Sequence, residues 1–384
     1  MHIKPVDQEP NLYSLFWNSM IAVYSNNIFT DHVITQLELP TPVRLYHDIE
    51  SFVNADGSIK IALVNHINQY CTPVDESQRI EWVTNGAKFA EEIQQVQKVS
   101  DLVFAFDNEF HQYHCDLLQQ LSAHNLHWVI PVHLNSDQTH SIFHTYQFDW
   151  TVGPYKDALA SRLNQLRPFV PKPKLFDALL GWTRPHRDFV AHAVKANSNI
   201  EDKILLTYMN YAPKDFVHEF LWEPEIEYIQ DTRNSANMVG YFGCVLPLSR
   251  IIPLTIYSET AYSIVAETSA DNRYTFPTEK IIKPMMARRL FVVFSSVNFL
   301  KNLRSLGFKT FDSVIDETYD SIEDDGQRWT AAFEQVKKLC KLDQSWVFDQ
   351  IQNIVEHNYN VAMTTDWNNQ TLQQIKKICN SFLA

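Results

Sequence analysis

The sequence predicts an α/β protein of two facing Rossmann-like domains with C-terminal helices. Three observations carry this: β-rich runs alternate with helical patterns in both halves, a proline-rich connector separates them, and the last sixty residues are helical in pattern. A chain of 384 residues also exceeds what one hydrophobic core usually supports.

In the first half, Lys60–Val64 (KIALV), Leu102–Phe106 (LVFAF) and His127–Val132 (HWVIPV) are strand-length apolar runs. Between the last two, Phe110, Tyr113, Leu117, Leu118 and Leu121 recur at helical spacing within Glu109–Ala123. Strand, helix, strand implies a parallel sheet with helices on its faces. Leu166–Leu175 (LRPFVPKPKL) has three prolines in ten residues and no periodicity, an extended connector. The expected domains are therefore residues 1–168 and 169–384, with a cleft between them.

The second half repeats the alternation: Leu175–Trp182, a helix from near Arg187, Lys203–Tyr208, Ser263–Glu267, a helix after Thr278, then Leu290–Phe294. Phe299, Leu300 and Leu303 mark a further helix that Gly307 ends in the left-handed conformation. Apolar spacing places the terminal helices over Trp329–Leu339, Ser345–Tyr359 and Trp367–Phe382.

Composition narrows the function. Hydrophobic residues at 45% and aromatics at 13% exclude a disordered or fibrous chain. A formal charge of −13 argues against a surface that attracts nucleic acid throughout, which makes two local basic clusters conspicuous: Arg184, His186 and Arg187, and Lys280, Lys283, Arg288 and Arg289. The five scattered cysteines contain no C-x-x-C pair, so neither a disulfide framework nor a zinc module is expected. With no signal peptide and no stretch of ~20 apolar residues, a cytoplasmic protein without a membrane span is expected.

The sharpest segment is Ser263–Phe294 (SIVAETSADNRYTFPTEKIIKPMMARRLFVVF): strand, polar loop, helix from Thr278, returning strand. Ligands of open α/β sheets sit beyond the carboxyl ends of the strands, where a helix N-terminus offers free N–H groups to phosphate. Thr278 can cap the helix, Lys280 can add positive charge to a diphosphate, and Glu279 can accept from two ribose hydroxyls. Pro284, about two turns in, should kink or shorten it. Thr-Glu is also an ordinary helix start, with Lys280 then solvated.

These residues resemble the donor-binding signature of the α1,3-fucosyltransferases, roughly F-E-N, a variable loop, then Y-V-T-E-K. The corresponding positions are Glu267 and Thr268, then Phe276, Pro277, Thr278, Glu279 and Lys280. The resemblance spans about forty residues and continues weakly through Phe299–Phe311; this run and TRPHR upstream also look like fucosyltransferase-like proteins of viruses and bacteria. It implies the two-domain GT-B architecture, inversion at the anomeric carbon, an N-terminal acceptor side and a C-terminal donor side. By the same resemblance Glu279 binds the donor ribose, Lys280 the diphosphate, and Phe276 packs beside the nucleotide. Thr268 stands where the family has Asn and Phe276 where it has Tyr, so either a GDP- or a UDP-sugar fits as donor.

A second motif, Gly181–Phe189 (GWTRPHRDF), precedes an amphipathic helix and brings two arginines near a helix N-terminus. In the fucosyltransferases an arginine at this place neutralises the leaving diphosphate; Arg187 is the first candidate and Arg184 the second. The alternative is a solvated basic loop. Lys283 completes the basic set.

Inverting transfer needs a base for the acceptor hydroxyl. Ala105–His114 (AFDNEFHQYH) follows a buried strand and offers Glu109 first and Asp107 second, although either carboxylate also suits a helix cap. His111 and His114 lack the further ligands a metal site needs, so no cofactor is expected. The acidic run Asp316–Trp329 lacks the ligand pattern of a calcium loop and reads as a solvated loop and cap. No Walker loop, G-x-G-x-x-G, G-x-S-x-G or H-E-x-x-H occurs.

The expectation is thus a metal-independent transfer of a sugar from a nucleoside diphosphate to a hydroxyl acceptor, a glycan by resemblance. The alternatives are hydroxylated bases of viral DNA, in a host cytoplasm, and a non-catalytic module that binds a nucleotide or glycan. The sequence leaves the oligomeric state open.

Overall fold

The computed structural model describes residues 21–39, 43–55, 59–66, 76–107, 120–121, 123–135, 141–144, 156–181, 183–208, 226–228, 238–241, 244–247 and 251–383. The chain is mixed α/β, with two parallel sheets and terminal helices, and forms two compact units. The first holds Met1–Pro131, Ser136–His144 and Asn368–Ala384; the second holds Val132–Asn135 and Thr145–Trp367.

The first unit is built on β1 (Ile21–Ser25), β2 (Val43–Tyr46), β3 (Ile59–His66), β4 (Leu102–Asp107) and β5 (Leu126–Ile130). After β6 (His133–Leu134), which belongs to the second unit, β7 (Ser141–Phe143) completes a six-stranded sheet in the order β2-β1-β3-β4-β5-β7, all pairs parallel. β4 is buried along its whole length, as a strand covered on both faces must be. Helices α1 (Ile28–Leu37), α2 (Ile49–Val53) and α3 (Glu76–Gln97) connect the strands. The chain runs from β1 to β2 on one side and then to β3 on the other, so the connections reverse between β1 and β3.

The second unit begins with α4 (Lys156–Gln165) and β8 (Lys174–Leu180), then α5 (Pro185–Lys195), α6 (Ser198–Glu201) and β9 (Ile204–Tyr208). Three strands, β10 (Ile226–Tyr228), β11 (Met238–Tyr241) and β12 (Cys244–Pro247), form a small antiparallel sheet. There follow α7 (Leu254–Glu259), β13 (Thr260–Ala266), β14 (Tyr274–Thr275), α8 (Glu279–Met286), β15 (Phe291–Phe294) and α9 (Phe299–Ser305). A 3-10 turn at Glu317–Ser321 leads to α10 (Asp325–Leu339) and α11 (Gln344–Thr364). The main sheet runs β15-β13-β8-β9, all parallel, and its connections reverse between β8 and β13.

The unit boundary differs from the one expected at 168/169, for a packing reason. Leu159, Leu163 and Leu166 enter the core of the second unit, so the chain joins that unit well before the connector. The connector itself is strapped down, the Lys172 N–H donating to Gln344 Oε1 at 2.8 Å and Gln344 Nε2 to the Lys172 carbonyl at 2.9 Å. The last helix, α12 (Trp367–Leu383), was expected in the C-terminal domain, but Ile375 and Cys379 pack into the core of the first unit.

Other expectations meet the structure directly. Gly307 takes φ +90° and ends α9. The acidic run is less solvated than expected: Asp320 accepts the Leu300 and Lys301 N–H groups at 2.8 and 3.0 Å, and Asp324 caps α10 through Gln327. The helix expected over Glu109–Ala123, with Glu109, His111 and His114, lies outside the described residues. No helix among the described residues is long and apolar enough to cross a membrane.

Candidate functional site

The end of β13 delivers Glu267 to the point where the second sheet reverses, and Glu267 is fully buried there. Its carboxylate organises the loop that follows. Oε1 accepts the Thr278 N–H at 3.1 Å, and Oε2 accepts the Thr278 hydroxyl at 2.5 Å and the Thr268 N–H at 3.1 Å. Burial pushes the Glu267 carboxyl up, against the attraction of Lys280 and the Thr278 hydrogen bonds. Expected among the binding residues, Glu267 is occupied in closing the loop.

Thr278 is then held where it caps α8, its hydroxyl oxygen accepting the Lys280 N–H at 3.4 Å. Ile281, Ile282, Met285 and Met286 bury one side of this helix, each worth at most ~1.5–3 kcal/mol of transfer free energy. The helix runs eight residues with Pro284 inside it and ends at Ala287, before Arg288 takes φ +54°. The loop is pinned from outside as well. Asn272 Nδ2 donates to the Glu323 carbonyl at 2.8 Å and Asp325 Oδ1 at 2.9 Å, while its Oδ1 accepts Val297 N–H at 2.9 Å. β14 pairs antiparallel with β6.

Lys280 Nζ donates to Glu279 Oε1 at 2.5 Å and Thr268 Oγ1 at 3.0 Å, so Thr268 and Glu279 aim the ammonium. Burial raises the Glu279 carboxyl, but the charges of Lys280 and Lys283 outweigh it and hold it at about 2. Glu279 therefore stays an ionised acceptor at any working pH. Lys283, one turn along, is brought down to about 8 by burial, with Glu279 opposing and Lys280 adding to the fall.

The second motif arrives from the neighbouring strand. Pro185 occupies the first turn of α5, and Thr183 Oγ1 donates to both Asp188 oxygens at 2.8 Å, with the Tyr208 hydroxyl on the same carboxylate. This sets α5 so that Arg187 Nη2 donates to the Glu267 carbonyl at 2.8 Å and His186 Nε2 reaches the same oxygen at 2.7 Å. Burial drives His186 down to about 3, with Arg187, Arg184 and Lys280 adding to the fall, so it is neutral and donates through Nε2–H. Burial and then Arg184 lower Arg187 as well. These cations oppose one another's charge at one place, which an anionic group would relieve.

The structure thus brings together Arg184, Arg187, Glu267, Thr268, Thr278, Glu279, Lys280 and Lys283 at the carboxyl ends of β8 and β13. Phe276, three residues before Glu279, is buried, 4% exposed. The second basic cluster splits. Arg288 lies over the Tyr359 ring at 3.5 Å and pairs with Glu356 at 2.8 Å. Arg289 pairs with buried Asp177 at 2.6 Å and donates to Ser263 Oγ, Tyr257 O and Tyr262 O. Both are structural.

Asp107 ends β4 in the first unit and is buried there, with His66 Nδ1 at 3.5 Å from its Oδ1. His66 was not singled out from the sequence, and neither was His186 as the partner of Glu267. Among the described residues no group of three or more His, Cys, Asp or Glu side chains is placed to share a metal ion. In comparisons with known proteins, the chain matches no family model and no curated protein.

Proposed function

We propose that the chain is an inverting glycosyltransferase of the GT-B type, with a fucosyltransferase-like donor site that takes a GDP- or UDP-sugar. One observation carries the reading. At the reversal point of a parallel sheet, a capped helix N-terminus, Lys280, Lys283 and Arg187 gather beside an ionised Glu279. Gathered cations and the positive end of a helix dipole suit a diphosphate, and an ionised carboxylate suits the paired hydroxyls of a ribose.

In this reading Arg187, Lys280 and the α8 N-terminus stabilise the charge that develops on the leaving diphosphate, interactions that strengthen towards the transition state. Arg184 adds to the field. The first unit supplies the acceptor side, where Glu109 or Asp107 would take the proton of a glycan hydroxyl. No metal is needed for the roles assigned.

The test is transfer from a panel of GDP- and UDP-sugars to lactose and to hydroxymethylated duplex DNA. Turnover that is lost in Lys280→Ala, with the variant still folded, supports the proposal. Nucleotide binding without transfer or hydrolysis of any donor would favour a non-catalytic binding module, and turnover to the DNA alone would move the acceptor to viral DNA bases.

A further inference from the structure

The first unit carries a groove of about 780 Å³ at the amino ends of β4 and β5, within the roughly 300–1,000 Å³ of small-molecule sites. β4 rises about 3.3 Å per residue, which puts the groove roughly 17 Å from Asp107 at the carboxyl end of the strand. One wall is the turn before β4, where the Asp101 N–H donates to the Lys60 carbonyl and Asp101 Oδ2 accepts the Lys60 N–H, both at 2.8 Å. Asn125, just before β5, ties this turn to its own, Nδ2 donating to the Ser100 carbonyl at 2.9 Å and the Gln97 carbonyl at 3.4 Å. The other wall is α12. Ile375 and Cys379 bury its core side, and Gln374, Lys377, Ile378 and Ser381, at spacings of three and four, line the groove. Leu102, Ile378 and Phe382, the last 44% exposed, supply the apolar lining. Ser100 lines the groove as well, is 8% exposed, and keeps its hydroxyl oxygen buried with no hydrogen-bond partner. Buried polar groups of native proteins are satisfied by protein, water or a ligand.

We propose that this groove binds a neutral saccharide, with Phe382 as the platform for a ring face and Ser100, Asp101 and Gln374 as partners for the hydroxyls. A pyranose has an apolar C–H face and a rim of hydroxyls that both donate and accept, and the groove offers the complement of each. Ser100 Oγ takes or gives a hydrogen bond, Asp101 Oδ1 accepts, and the Gln374 amide does both. A wholly apolar ligand would leave the Ser100 hydroxyl unpartnered. An anion would have Lys377 in its favour, but the Asp101 carboxylate and the carbonyl end of α12, beside Ser381 and Phe382, oppose it. A sugar ring meets the apolar and the polar lining without bringing a charge. All the lining residues lie in the first unit, so the inference does not depend on the function proposed above, and its test reads binding alone.

The experiment is calorimetric titration of wild type, Phe382→Ala, Ser100→Ala and Gln374→Ala with lactose, cellobiose, maltose and N-acetylglucosamine. Inorganic phosphate and a fluorescent apolar dye serve as comparators. At least one saccharide is expected to bind wild type. Phe382→Ala should weaken that binding by about 10-fold. Ser100→Ala and Gln374→Ala should each weaken it by about 2–10-fold, the worth of a hydrogen bond. Unfolding midpoints should stay close to wild type in Phe382→Ala and Gln374→Ala, whose side chains are exposed; if Ser100→Ala does not fold, these two decide the outcome. Equal saccharide binding in wild type and the folded variants would put the sugar elsewhere and overturn the assignment. A wild type that binds no saccharide overturns it as well, and dye or phosphate binding lost in Phe382→Ala would then name the ligand class of the groove.

Discussion

Thr278 donates its hydroxyl to Glu267 Oε2 at 2.5 Å and its N–H to Glu267 Oε1 at 3.1 Å, joining residues eleven positions apart. The loop after β13 is closed by this pair. Thr278→Val removes the hydroxyl that both donates to the carboxylate and caps α8. Urea unfolding should show a loss of about 1–3 kcal/mol, and diphosphate affinity should fall, with Thr278→Ser restoring both. A Val variant as stable and as tight-binding as wild type would separate the cap from the site.

Lys283 gives the site a pH dependence. Burial first, with Lys280 adding and Glu279 opposing, sets its ammonium at about 8, below the ordinary 10.5. A diphosphate favours the charged form, so GDP or UDP affinity should weaken as pH rises through about 8, and binding near pH 8 should take up a proton. In the free protein the sign is opposite: the unfolded chain holds this proton up to 10.5, so the Lys283 contribution to stability grows from about pH 8 upwards. Calorimetry in two buffers of different ionisation enthalpy measures the uptake, and Lys283→Met should abolish it.

Gly181 lies against Arg187: a Cβ there would meet Nη1 at 3.3 Å. Gly181→Ala should therefore push the guanidinium and weaken diphosphate binding several-fold while leaving the unfolding midpoint close to wild type. Unchanged binding would remove Arg187 from the phosphate contacts.

Arg289 and Asp177 make the converse case. Removing one partner of a buried ion pair leaves a charge uncompensated, so Arg289→Met should cost about 3–5 kcal/mol. In the fraction that folds, diphosphate affinity should match wild type. A selective loss of affinity with stability intact would return Arg289 to the binding cluster.

Strand, loop and capped helix were legible at Ser263–Phe294 because the information is local: a buried β-branched run, a polar loop, then Thr-Glu at a helix start. The core residues of β3, β4 and β13 were equally plain. What the sequence hid is long-range. Nothing local separates Arg187, turned onto the Glu267 carbonyl, from Arg289, turned onto Asp177, and only the sheet decides which basic residue meets which partner. The His66–Asp107 pair depends on strand register, which links residues 41 positions apart across β3 and β4. The unit boundary was misplaced because prolines mark a change of backbone, whereas Leu159, Leu163, Ile375 and Cys379 choose their unit by packing.

The most direct test of the proposed donor site is the unfolding temperature of wild type and Lys280→Ala against GDP and UDP. A ligand present at a hundred times its Kd stabilises the folded state by about 2.7 kcal/mol. The account predicts that at least one of the two raises the wild-type midpoint accordingly and that the rise is largely lost in Lys280→Ala. Equal rises in both proteins, or none in the wild type, would contradict it.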